Sequence, residues 1–150
     1  RRIAAASAAF GVHALMSLRQ WCAWRQAVFE AQRLFGAHSF GLPAAAAAAA
    51  VVSRVERALL RRLPDSYRAC AVARNGGYRL FSGLLKVLPV QRALALTHTP
   101  STARYLPVAT SKPGRQIALL LDLATGHVLG PEHVVVADSF AQMLRRELTP

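Results

Sequence analysis

Between His13 and Phe35 the apolar residues Leu15, Leu18, Trp21, Cys22, Val28, Phe29 and Phe35 recur at steps of three, four and seven, and Arg19, Gln26, Glu30 and Arg33 fill a separate stripe. That spacing predicts an amphipathic helix closed by Gly36, with Trp21 and Trp24 as core or partner-facing anchors. Gly36, Gly41 and Pro43 mark a connection with a short extended piece around Phe40. A second helix starts near Pro43 or Ala44, since proline suits a first helical turn, and runs through the alanine tract to about Arg62. Its apolar face is Val51, Val52, Val55, Leu59 and Leu63; Arg54, Arg57 and Arg61 share the opposite face.

Pro64-Asp65-Ser66 breaks that helix and starts a third, through Tyr67, Cys70 and Val72 to Arg74. Asn75-Gly76 then reads as a turn entering a strand, because both residues tolerate positive φ. Beyond Leu88 the periodicity weakens. Gln91 to Thr97 is expected as a strand, and Thr99 to Gly114, with three prolines, as a loop carrying Arg104, Lys112 and Arg115. Gln116 to Leu123 is a clean apolar strand, Thr125-Gly126 a turn, and Val128 with His133 to Ala137 one or two further strands. Asp138 or Ser139 caps a final helix, Phe140 to Leu148, whose Arg145 and Arg146 complement its dipole. Helices first, then strands, then one helix predict an α+β protein: N-terminal helices, a small mixed β-sheet and a short C-terminal helix.

Charge changes the picture from a fold to a partner. The 150 residues carry 19 Lys plus Arg against 7 Asp plus Glu, a formal charge of +12. Hydrophobic residues make up 53% and charged ones only 17%, which excludes a disordered basic tail. A folded domain with this excess repels itself unless a polyanion lies against it, and nucleic acid or an anionic membrane surface are the candidates. The longest apolar run, Leu42 to Val52, is far shorter than a membrane span of about 18–20 residues and contains Pro43. The two cysteines, Cys22 and Cys70, are isolated in sequence and expected as buried thiols, with neither a disulfide framework nor a zinc knuckle. Almost all the positive charge is arginine, a bias that a GC-rich coding genome also produces. The opening Arg1-Arg2-Ile3 to Phe10, rich in Arg, Ala and Ser, reads as the remnant of an organellar transit peptide or as an Ala-rich lead-in to the first helix.

Motifs for chemistry are missing. The histidines form no H-E-x-x-H pattern, the carboxylates no close pair, and His127 with His133 lacks a third ligand nearby. No phosphate-cradling glycine loop and no G-x-S-x-G elbow occurs. What remains is cationic: Arg54, Arg57 and Arg61 form a row suited to phosphates, and Arg74-Asn75-Gly76-Gly77-Tyr78-Arg79 sets two glycines between arginines, where backbone can approach a phosphate. A plain hairpin turn would need only the Asn-Gly.

Two stretches resemble the bacterial-type large-subunit ribosomal protein seventeen family. Trp24-Arg25-Gln26-Ala27-Val28-Phe29, followed by His38, Leu42-Pro43 and a helix with Arg54, Val55 and Glu56, is similar to the family's N-terminal helix and its long successor. Arg74-Asn75-Gly76-Gly77-Tyr78-Arg79-Leu80 is similar to the start of the family's strand, with the arginine one position early, and Gln116 to Leu123 matches its closing apolar strand. The resemblance covers residues 19 to 123. Trp24 stands where the family has His, Glu30 where it has Arg, and the alanine tract replaces a Lys-rich helix start; residues 124–150 have no counterpart.

The resemblance implies a divergent mitochondrial member, rather than a plastid one, acting in the ribosome of the matrix. It implies a structural role without catalysis, cofactor or small-molecule substrate, bound to large-subunit rRNA and neighbouring ribosomal proteins. The expected division is an N-terminal extension over 1–12, an α+β domain over 13–123 and a C-terminal extension over 124–150 whose apolar strands and helix face other proteins. The expected rRNA contacts are Arg19, Arg25, Arg33, Arg54, Arg57, Arg61, Arg74, Asn75, Gly76, Gly77 and Arg79. The competing expectation is an accessory subunit of an organellar membrane complex without RNA binding, its tryptophans and apolar surface being partner contacts.

Overall fold

The computed structural model describes residues 17–36, 40, 43–111 and 116–148. The N-terminal extension, His13, Leu15, His38, Lys112 and Arg115 lie outside the described residues. The class is α+β. Helices α1 (Leu18–Phe35), α2 (Pro43–Leu59) and α3 (Asp65–Ala73) come first. Strands β1 (Arg79–Leu80) and β2 (Leu85–Val87), helix α4 (Val90–Ala95) and strands β3 (Tyr105–Ser111), β4 (Ile117–Asp122), β5 (Val128–Leu129) and β6 (Val135–Ala137) follow, and α5 (Phe140–Leu148) closes the described chain. The six strands pair in chain order. Every pairing is antiparallel, where a mixed sheet is the expectation from sequence. Most connections are too short for the roughly dozen residues a parallel crossover needs.

The helical half is built around α3, whose residues Tyr67 through Val72 are all buried. It packs against α1, α2 and α5. Ala27 and Ala31 of α1 and Ala69 and Ala71 of α3 are buried, and Trp24 of α1 lies against Arg68 of α3. The buried face of α1 follows the expected one only in part: Trp21, Val28 and Phe35 pack against the core. Leu18, Cys22 and Phe29 are exposed, and burial falls on Trp24, Ala27 and Ala31. Cys22 therefore corrects the expectation of two buried thiols; Cys70 is fully buried, and burial pushes its thiol up to about 12.

A buried polar cluster joins these helices. Arg68, with no exposed surface, donates from Nε to Glu56 Oε2 at 3.1 Å, and the same oxygen accepts the Leu63 N–H at 2.8 Å. The Arg68 and Arg62 guanidinium carbons lie 5.2 and 5.8 Å from the Trp24 ring centroid. Arg62 also pairs with Asp65 at 2.7 Å. Burial raises the Asp65 carboxyl against the pull of Arg62 and Arg68, and lowers the Arg68 guanidinium against the pull of Glu56.

Helix α2 ends at Leu59 rather than near Arg62 because Leu60 adopts φ 54°. The Leu60 N–H then bonds the Arg57 carbonyl and the Arg61 N–H the Glu56 carbonyl, the pairing of a Schellman cap.

Two segments differ from the sequence reading. Val90–Ala95 is a helix rather than a strand, because Asn75 Oδ1 accepts the Val90 N–H at 2.8 Å and Pro89 fixes the entry. The loop expected over Thr99 to Gly114 contains the longest strand, β3. Its Pro107 is accommodated where the pairing with β4 shifts register, since a bulge dispenses with one ladder donor.

The segment after residue 123 shares the core. Phe140 meets Tyr67 edge-on at 4.9 Å, Ala141 N–H donates to Ser66 Oγ at 2.9 Å, and Val128, Ala137, Met143 and Leu144 are buried in the same cluster. Ser139 Oγ accepts the Gln142 N–H at 3.1 Å and caps α5 as expected.

Replacing Arg68 by Met leaves Glu56 buried without its counter-charge and is expected to cost about 3–5 kcal/mol in urea unfolding. Replacing Glu56 by Leu at the same time should recover most of that loss. A single variant as stable as the parent would show that the pair holds nothing together.

Candidate nucleic-acid interface

Folding sorts the arginines into two populations. Arg62, Arg68, Arg104 and Arg145 pair with Asp65, Glu56, Asp122 and Glu30. Asp122 shows how such a pair is held. Burial raises its carboxyl, but bonds from Arg104, from the Ala124 N–H and from Thr125 outweigh this and leave it below the usual carboxylate range. Arg19, Arg25, Arg33, Arg54, Arg57, Arg61, Arg74 and Arg79 are exposed and pair with no carboxylate among the described residues.

Their placement follows from local structure. Arg19, Arg25 and Arg33 stand on the solvent face of α1, and Arg25 lies over the Phe29 ring at 5.4 Å. Arg54 and Arg57 stand on the outer face of α2, but the αL turn at Leu60 takes Arg61 off the helix. The expected row of three is therefore two residues on a ridge and one beyond its end. Arg74 follows α3, and its guanidinium carbon is 5.0 Å from the Tyr78 ring centroid. Tyr78, largely buried, carries that platform into the core.

The turn itself closes on the protein. Asn75 accepts from Val90 N–H and donates from Nδ2 to Gln91 Oε1 at 2.7 Å, so it braces the start of α4. The Gly76 N–H bonds the Arg74 carbonyl and the Gly77 N–H the Val87 carbonyl, both at 2.9 Å. A Cβ on Gly76 would lie 2.4 Å from Pro89 N, so that glycine exists for contact with the Leu88-Pro89 backbone. Gly77, at φ 81°, has open space at that position. The backbone approach that two glycines offer a phosphate is taken at Gly76 by the chain's own next segment.

Arg79 belongs to a second feature, a groove of about 350 Å³ between the sheet and α4. Its polar wall is Arg79, Lys86, Arg92, Thr110 and Ser111, and its apolar part is Leu88, Pro89 and Leu96. Arg79 stands directly opposite Lys86 across β1 and β2, and Lys86 opposite Thr110 across β2 and β3. Sequence reasoning placed Arg79 on a strand but missed Lys86 and Arg92. Both become neighbours only through the β2–β3 register and the helical form of Val90–Ala95; the alternation of exposed Lys86 with buried Val87 is the one local signal.

No family model, no curated protein and no solved structure matches this chain.

Gly76→Ala and Gly77→Ala separate the two roles of the turn. The second should cost about 1 kcal/mol, the strain of a left-handed alanine; the first should cost about 3 kcal/mol or more, because backbone atoms must move as well. Equal losses in thermal unfolding would contradict the packing role given to Gly76.

Proposed function

We propose that the protein is a structural RNA-binding protein, a constituent of the large subunit of a mitochondrial ribosome, that holds folded rRNA through arginine–phosphate contacts. One observation carries the RNA reading: the carboxylates that pair with arginine neutralise one set of guanidiniums, while the set on the outer faces of α1 and α2 and around the Gly76 turn faces solvent without a counter-charge. Exposed like charges spaced along a helix weaken it slightly in isolation and become favourable against a row of phosphates. Contacts of this kind position a protein on the shape of an RNA and carry no base sequence. The ribosomal assignment rests on the resemblance over residues 19 to 123, with neighbouring ribosomal proteins as the other partners. Against the accessory-subunit reading stands the size of the uncompensated charge. Among the described residues no helix is long and apolar enough to cross a membrane.

The affinity for a folded rRNA fragment, measured by fluorescence anisotropy across a salt series, should fall steeply with salt. The triple variant Arg54→Gln, Arg57→Gln, Arg61→Gln should lower the slope by about two to three, close to one per lost phosphate contact. An unchanged slope removes these residues from the interface. In a gradient, the native protein should sediment with the large ribosomal subunit in magnesium and leave it after RNase; migration with a detergent-solubilised membrane complex overturns the ribosomal assignment.

A further inference from the structure

The groove between the sheet and α4 gathers three cations around one concavity. Arg79 and Lys86 face each other across an antiparallel pair, where like charges destabilise a sheet. Arg92 adds a third cation, and among the described residues no carboxylate lines the groove. Among the described residues the Arg79 guanidinium donates one hydrogen bond, a long one of 3.5 Å to the Gly83 carbonyl. Here strand register and the Asn75 brace on α4 hold them around one concavity.

The rest of the lining defines what the anion is attached to. Leu88, Pro89 and Leu96 form an apolar surface, and the Thr110 and Ser111 hydroxyls supply neutral donors and acceptors beside the cations. A volume of about 350 Å³ lies at the small end of ligand pockets. It suits a single nucleotide and is larger than a bare phosphate needs. We propose that this groove takes one unpaired nucleotide of an RNA strand, the phosphate held by Arg79, Lys86 and Arg92 and the base laid on the Leu88-Pro89-Leu96 surface. Single-stranded bases stack on guanidinium planes as well as on apolar side chains, so Arg92 can serve both phosphate and base. The site is distinct from the α1 and α2 arginine faces. It deepens the RNA reading, on which it rests for the source of the nucleotide.

The test uses the full chain and two probes. In an NMR titration, adenosine 5′-monophosphate should give saturable shifts confined to Leu88, Arg92, Leu96, Thr110 and their neighbours, at concentrations well below those at which inorganic phosphate acts. Lys86→Gln and Arg92→Gln should each weaken that binding about tenfold, the loss of one charged hydrogen bond. Both side chains are exposed, and relieving the Arg79–Lys86 repulsion should leave the melting temperature of Lys86→Gln unchanged or raised. A nucleotide no better than phosphate, shifts spread over α1 and α2, or variants with unchanged affinity overturn the proposal. Filter binding of a twelve-nucleotide single-stranded RNA separates the two readings. RNA that binds with a salt slope while the monophosphate misses the groove leaves the RNA reading standing and removes the pocket. A monophosphate seated in the groove of a protein that binds no RNA assigns the site to free nucleotides and overturns its place on an RNA strand.

Discussion

The helical half of the molecule depends on one interaction, the buried bond between Arg68 and Glu56 under the ring of Trp24. A guanidinium without exposed surface on the central helix tolerates no solvent-like disorder around it. The pair joins α3 to α2, Trp24 of α1 lies over it, and Leu63, beyond the end of α2, shares the carboxylate. The Leu60 turn, with its unfavourable φ for a side-chain-bearing residue, lies between Glu56 and Leu63. Apolar residues would fill the same volume. They would leave the Leu63 N–H without its carboxylate acceptor.

The same arrangement explains how a chain with so few carboxylates stays folded at +12. Four of its acids pair with arginines, Arg68 and Arg62 in the helical half and the mostly exposed Arg104 and Arg145 at the surface, so part of the repulsion is cancelled locally. The remaining excess is displaced to outer helix faces and to the groove, where water and salt screen it until a polyanion replaces them.

Long elements with strong punctuation were legible from sequence. Helices α1 to α3 and α5, strand β4 and the turn before β5 lie where periodicity, Pro64, Gly36 and Ser139 put them. The misreadings share a cause, since each was settled by a partner distant in the chain. Val90–Ala95 is helical because Asn75 caps it, β3 tolerates Pro107 because β4 shifts against it, and α1 turns Trp24 inward against Arg68 of α3. The candidate site divides along the same line. Arginine exposure on α1 and α2 was readable from helical spacing. The convergence of Arg79, Lys86 and Arg92 was not, because it needs a strand register and a helix that no local pattern displays.

The edge-on contact of Phe140 with Tyr67 and the bond from Ala141 to Ser66 also bear on the order in which the chain can fold. Residues 75 apart meet there, a long loop to close before the contact returns anything. During synthesis the first three helices emerge with one face of the central helix bare, and it stays bare until the polypeptide has been made past Leu144. The helical half therefore gains its last apolar partner through contacts of long sequence separation, set by topology rather than by local propensity.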